Sequence, residues 1–276
     1  MHLPEVVVIV CIVLLSGFVL TSAMFDQSSQ IAVETAIPTA TPEPQILPYE
    51  APQLPKQESY RIILIGDSMT ERLGLNANVL RLSLKERYPE TEFVTYNYSL
   101  PSSNILSVPD RLTESGTYLG QSLPPILNQG YDLLILESFA YNPLSELEIE
   151  TGLKKQEDIL ESVINKLAKN KPESPILIMN TIAPDRETFA SYELDLSQQQ
   201  RDQWVDERIA YLKNAIDFAE KNNIPAVNIY EKSLDENGKA VEKYIDSDTV
   251  HPSEAGIEFI SSEIADFIYE NSIFPH

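Results

Sequence analysis

The chain has 276 residues and a net charge of −22, from 42 acidic against 20 basic side chains, with three histidines and one cysteine. That acidity argues against nucleic-acid phosphates and anionic lipid surfaces as partners, although an acidic surface also serves solubility alone. A single cysteine excludes an intrachain disulfide and a cysteine metal site.

In chain order, the first feature is an uncharged apolar run over residues 6–25, and ~20 residues suffice to cross a bilayer. No Lys or Arg precedes it, and it is longer than the core of an ordinary signal peptide, which favours a retained anchor. Thr21-Ser22-Ala23 is compatible with cleavage instead. The expectation is a membrane-anchored chain with an extracytoplasmic domain, with secretion after signal cleavage as the alternative. Residues 26–58 carry Pro38, Pro42, Pro44, Pro48, Pro52 and Pro55, a composition that favours an extended polyproline linker. Residues 1–25 are thus read as an anchor or signal segment, 26–58 as a linker, and 59–276 as one domain that holds most of the charge.

Within the domain, residues 61–65 read as a continuously apolar strand, the kind buried on both faces of a parallel sheet. A helix is expected over 73–88, then strands over 92–98 and 131–136, a helix over 146–170 and a strand over 175–180. Val205, Ile209, Leu212, Ile216 and Ala219 recur at helical spacing within 198–222. Residues 226–230 read as a fifth strand, and Ile257, Ile260, Ile264, Phe267 and Ile268 mark a last helix. This alternation predicts a parallel sheet with helices on both faces, whose ligand site lies beyond the carboxyl ends of the strands. Residues 184–200, with Phe189 and Tyr192, follow the fourth strand on that rim and read as a surface loop or a lid. Trp204, just into the next helix, reads as packing.

Two short motifs carry chemistry. Gly66-Asp67-Ser68 directly follows the first strand, and Asp248-Thr249-Val250-His251-Pro252 precedes the last helix. The other two histidines are His2 and the final residue, His276, so His251 is the one imidazole away from the ends of the chain. A serine, an imidazole and a carboxylate are what serine-nucleophile catalysis needs. Ser68 at a helix start would lie near free N–H groups and a partial positive charge. Plainer readings compete: Ser68 as an N-cap with Glu71 in a capping box, and Asp248 as a cap beside a solvated His251. Asp246 is an alternative carboxylate. Asn142 and a backbone N–H near Ser102 lie on loops after the second and third strands, where they can serve as oxyanion donors or simply as turn residues. One histidine away from the chain ends and no domain cysteine give no expectation of a metal or cofactor.

Taken together over about residues 60–271, these blocks resemble the SGNH/GDSL hydrolase family, named for its Ser, Gly, Asn and His blocks. The resemblance implies a three-layer α/β/α, flavodoxin-like fold with a five-stranded parallel sheet. It implies Ser68 as nucleophile and oxyanion donor, His251 as base and Asp248 as its orienting carboxylate. Ser102 aligns with the second-block glycine, with Ser99 and Ser103 as alternatives. Ala140-Tyr141-Asn142-Pro143 aligns with the third block and keeps its asparagine, Asn142. The implied activity is hydrolysis of short acyl esters, including acetyl esters of cell-surface glycans, through an acyl-enzyme and without a cofactor. An O-acyltransferase using the same site and a membrane-tethered, non-catalytic binding module are the alternatives.

Overall fold

The apolar runs of the sequence become the interior strands of one parallel sheet. A computed structural model describes residues 46–276; the expected membrane segment and linker residues 26–45 lie outside the described residues. Among the described residues no helix is long and apolar enough to cross a membrane.

Strand β1 (Ser59–Ile65) opens the domain and is followed by the single turn α1 (Ser68–Glu71). Helix α2 (Asn78–Arg87) and strand β2 (Glu92–Asn97) come next. The short helix α3 (Val108–Thr113) leads into a hairpin of β3 (Gly116–Tyr118) and β4 (Gln121–Leu123). Strand β5 (Leu133–Glu137), helix α4 (Ile149–Asn170), strand β6 (Ile176–Met179) and helix α5 (Gln198–Lys221) continue the alternation. Strand β7 (Ala226–Val227), the turn α6 (Ile229–Lys232) and helix α7 (Glu254–Glu270) complete it.

The main sheet runs β2-β1-β5-β6-β7 with every neighbouring pair parallel. Strands β5 and β6 are buried along their whole length, whereas the edge strand β2 alternates exposed and buried residues. That difference is the expected one between a strand covered on both faces and a strand with one open flank. Helix α2 packs on α7, and α4 on α5, giving three layers. The chain leaves β1 toward β2 on one side and resumes at β5 on the other, so the β1/β5 gap is the switch point where such sheets hold their ligands.

Three expectations need correction. The helix expected over 73–88 begins only at Asn78, because Gly74 and Ala77 take positive φ (82° and 37°) and separate α2 from the turn α1. The Asn97 amide donates to the carbonyls of Thr70 and Gly74 at this break, satisfying acceptors that a continuous helix would have used. The fifth strand ends after two residues: Asn180 Oδ1 accepts the Tyr230 N–H and Asn228 Oδ1 accepts the Glu231 N–H, which turns 229–232 into α6. Finally, residues 46–58 do not stand off from the domain. Tyr49 is buried, its N–H donates to the Asn222 carbonyl and its hydroxyl accepts the Ile176 N–H. Leu54 is also buried, and the Ile46 N–H donates to Asn165 Oδ1. These partners sit where α4 and α5 end and β6 begins, at the amino ends of the strands. Burial of two large apolar side chains, at roughly 1.5–3 kcal/mol each, outweighs the proline-driven preference for a free extended segment.

Candidate active site

The site forms where β1, β2 and β5 end. Gly66 is there because nothing larger fits: a Cβ at that position would lie 2.5 Å from Thr70 Oγ1 and 3.0 Å from the Glu137 Cβ. The close approach lets the chain turn straight from β1 into α1. Asp67, not Ser68, is the N-cap of that turn, with Oδ1 accepting the Met69 N–H at 2.8 Å. Glu71 closes no capping box and instead accepts the Tyr118 hydroxyl. Ser68 is therefore free of capping duty, and at the first helical position its N–H has no intrahelical acceptor. With α1 only one turn long, a helix dipole adds little; the free N–H is what remains of that expectation.

The Ser68 hydroxyl meets His251 Nε2 at 2.9 Å, and His251 Nδ1 meets Asp248 Oδ2 at 2.8 Å. Asp248 Oδ1 accepts the N–H groups of Val250 and His251. This tight turn is made possible by Thr249 at φ 62°, a left-handed conformation that a β-branched residue adopts only when its surroundings impose it. Asp246 spends its side chain on the N–H and hydroxyl of Ser247, so the carboxylate that reaches the imidazole is Asp248. Because Asp248 accepts only, Nδ1 carries the proton and Nε2 presents a lone pair to the serine. Partial burial pushes the Asp248 carboxyl up, but the hydrogen bonds from His251 and Val250 outweigh it and hold it below the ordinary carboxylate range. Arg72, one helical turn after Ser68, adds an ion pair to the same oxygen at 3.0 Å.

Asn142 lies on the loop after β5. Phe139, at φ 57°, turns that loop back so that Asn142 Nδ2 donates to Asp67 Oδ2 at 2.9 Å. A primary amide has two N–H donors; Asp67 takes one, leaving the other for a ligand. Of the three candidate serines after β2, Ser99 donates its N–H to Asn97 Oδ1 and Ser103 to the Leu100 carbonyl. Ser102 stands between them, exposed, at φ 57°, the region glycine occupies without penalty; its N–H has no acceptor among the described residues. Leu100 N–H donates to the Gly66 carbonyl and fixes this loop beside the Ser68 turn. No hydrogen bond joins Ser102 to Ser68 or Asn142.

Beneath the site lie two acids, one inside the first motif and one outside both. Asp67 and Glu137 are both fully buried. Asp67 N–H donates to Glu137 Oε2 at 3.3 Å, and the Ser138 hydroxyl donates to Oε1 at 2.7 Å. Burial, and then the adjacent Asp67 charge, push Glu137 well above the ordinary carboxylate range. Burial pushes Asp67 up as well, opposed by hydrogen bonds from Asn142 and Met69. Glu137 therefore holds the proton and Asp67 the charge. Arg111 balances that charge: it donates to the carbonyls of Gly66 and Tyr98 and lies over the Phe139 ring. Burial lowers it to about 10, opposed by Asp67, so it stays cationic at neutral pH. A carboxylate closing the apolar run of residues 133–136 was the available signal for Glu137. Arg72 was signalled by its i+4 spacing from Ser68.

The 184–200 segment braces the His251 turn. Ala190 and Tyr192 donate their N–H groups to Thr249. Phe189 is buried between the Tyr141 ring and the Arg208 guanidinium, while Tyr192 is exposed. Trp204 is partly exposed under the same guanidinium, a packing contact. Among the described residues no cluster of metal-ligating side chains occurs.

No protein-family model matches the sequence, and no curated protein matches it. Solved structures do. A lipase/acylhydrolase from Enterococcus faecalis is 14% identical with a TM-score of 0.53, over 77% of this chain and 96% of that one. A GDSL-like lipase from Bacteroides thetaiotaomicron is 12% identical with a TM-score of 0.51, over 77% and 89%. A catalytic mutant of an acetylxylan esterase from Geobacillus stearothermophilus is 17% identical with a TM-score of 0.51, over 78% and 96%. At these identities the likeness is one of architecture: the chain has the three-layer α/β/α fold of GDSL-like lipases and acylhydrolases.

Proposed function

We propose that the protein is a serine ester hydrolase of the SGNH/GDSL type, acting on short acyl esters, including acetyl esters of cell-surface glycans, from a membrane-anchored extracytoplasmic position. The observation that carries this reading is the Asp248–His251–Ser68 hydrogen-bond chain, which joins side chains 183 residues apart in sequence. A surface histidine has no reason to find a serine at 2.9 Å while a carboxylate fixes its other nitrogen.

In the proposed reaction the Ser68 oxygen attacks the acyl carbonyl carbon and passes its proton to His251 Nε2, while Asp248 holds Nδ1–H and stabilises the imidazolium. The developing oxyanion is held by the Ser68 and Ser102 N–H groups and the free N–H of Asn142. Collapse breaks the C–O bond to the leaving alcohol, which takes the proton back from His251. Water then repeats the sequence on the acyl-serine, with His251 again taking and returning the proton, and releases the acid. Asp67 and protonated Glu137 aim the asparagine, and Arg111 offsets the charge beneath it. Hydrolysis of p-nitrophenyl acetate by the wild-type protein and by Ser68→Ala tests the reading. A loss of at least about 10³-fold in kcat is expected; equal rates refute it.

A further inference from the structure

The β3–β4 hairpin has no place in the chemistry above, yet it stands beside the nucleophile. Its two strands pair only with each other, and a lone two-stranded hairpin is marginally stable in water. It is pinned to the catalytic turn by the Tyr118 hydroxyl, which donates to Glu71 Oε1 at 2.9 Å. Glu71 is three residues after Ser68 on α1, which puts their Cβ atoms about 5–6 Å apart.

Between the hairpin and this turn is a cavity of about 120 Å³, walled mainly by Leu75, Leu119, Leu123, Tyr118 and Glu71. Asn97, Ser99 and Gln121 complete it, the first two on the strand end that leads into the Leu100–Gly66 contact. Most of its polar groups are already engaged: Asn97 with Thr70, Gly74 and the Ser99 N–H, and Glu71 with Tyr118; the Gln121 side chain is on the exposed hairpin. The Ser99 hydroxyl has no partner but is sealed from solvent, so it does not face an occupant. With three leucines in the wall and one uncommitted amide, a hydrocarbon chain suits this cavity better than the many hydroxyls of a sugar.

The hairpin tip points the same way. Leu119 and Gly120 both have positive φ (49° and 76°), the geometry of a turn that favours Asn-Gly. Leucine is strained there, and it is 80% exposed. A strained, exposed leucine on the rim of an apolar cavity gains only when something apolar covers it.

We propose that this cavity is the acyl-chain subsite and that the hairpin is its flap, so that among short acyl esters the enzyme prefers groups longer than acetyl. The proposal rests on the ester-hydrolase reading above. An apolar cavity of about 150 Å³ takes benzene, so this one suits a chain of about four or five carbons. The test is kcat/KM of the full chain for p-nitrophenyl acetate and butyrate, with Ser68→Ala as background, in the wild type and in Leu119→Asp and Leu123→Trp. Two buried methylenes give an expected butyrate-to-acetate ratio of about fifteenfold. Filling the cavity with Leu123→Trp, or charging its rim with Leu119→Asp, lowers that ratio at least fivefold; Leu119 is exposed enough for its variant to fold. Ser68-dependent hydrolysis with equal kcat/KM for the two esters, or a ratio unmoved by both variants, overturns the subsite and leaves the ester-hydrolase reading standing. Absence of Ser68-dependent hydrolysis of either ester overturns both.

Discussion

Glu137→Gln isolates the buried acid pair under the site. Glutamine has the shape of a protonated glutamate and can donate to Asp67 as the carboxylic acid does, but it cannot ionise. In the wild type, burial and the Asp67 charge raise the Glu137 pKa in the fold, while in the unfolded chain it titrates near the ordinary ~4.3. A carboxyl group whose pKa is raised by folding binds its proton more tightly in the native state. Stability is therefore lost as pH rises from that ordinary value, at ~1.4 kcal/mol per pH unit for as long as the fold keeps the proton. Glutamine removes this dependence. Burial also raises Asp67, but that residue is present in both proteins and largely cancels in the comparison. The unfolding free energy of Glu137→Gln minus that of the wild type should thus climb as pH rises above 5, with a slope no steeper than ~1.4 kcal/mol per pH unit. Urea denaturation at pH 5, 6 and 7 measures it. A difference that stays flat with pH would show that Glu137 ionises alike in both states, and would refute the assignment of the proton.

Gly66→Ala forces a methyl group to within 2.5 Å of Thr70 Oγ1 and should cost about 1–3 kcal/mol by denaturation; adding Thr70→Ala should recover part of it, and an unchanged midpoint would show that the turn can yield. Asn142→Ala removes a proposed oxyanion donor and a donor to buried Asp67, so kcat toward p-nitrophenyl acetate should fall roughly 10²–10³-fold, and a fall below threefold would remove Asn142 from the proposed oxyanion site. Arg72→Ala breaks an ion pair whose arginine is 43% exposed; double-mutant cycles with Asp248→Asn should give under about 1 kcal/mol of coupling, shrinking with salt, and a salt-independent value well above that would mean the pair is effectively desolvated.

The sheet was legible because strands buried on both faces are apolar, and the runs at 62–65, 133–136 and 176–179 read so directly. The ends of elements were harder. Gly74 warned of a break after α1, but Ala77 at positive φ gave no warning. Asn180 and Asn228 end β7 through side-chain bonds between residues 48 positions apart, which no local window contains. The hairpin strands are three residues each, too short to show alternation. Residues 46–58 misled because their prolines speak for extension while Tyr49 and Leu54 do the docking. At the site, Ser68, His251 and Asp248 stood out through residue type and scarcity. Alignment favoured Ser102, but that the N–H groups of Ser99 and Ser103 are already spent depends on the fold of the loop. Asp67 and Glu137 were hidden because an isolated acidic residue reads as surface until its burial is known.

The most direct test of the central claim is labelling of the full chain with a fluorophosphonate probe and mapping of the adduct by mass spectrometry. The account predicts a single adduct on Ser68 that is lost in Ser68→Ala and strongly slowed in His251→Ala. A probe that leaves Ser68 unmodified, or that labels the His251→Ala protein at the wild-type rate, would contradict it.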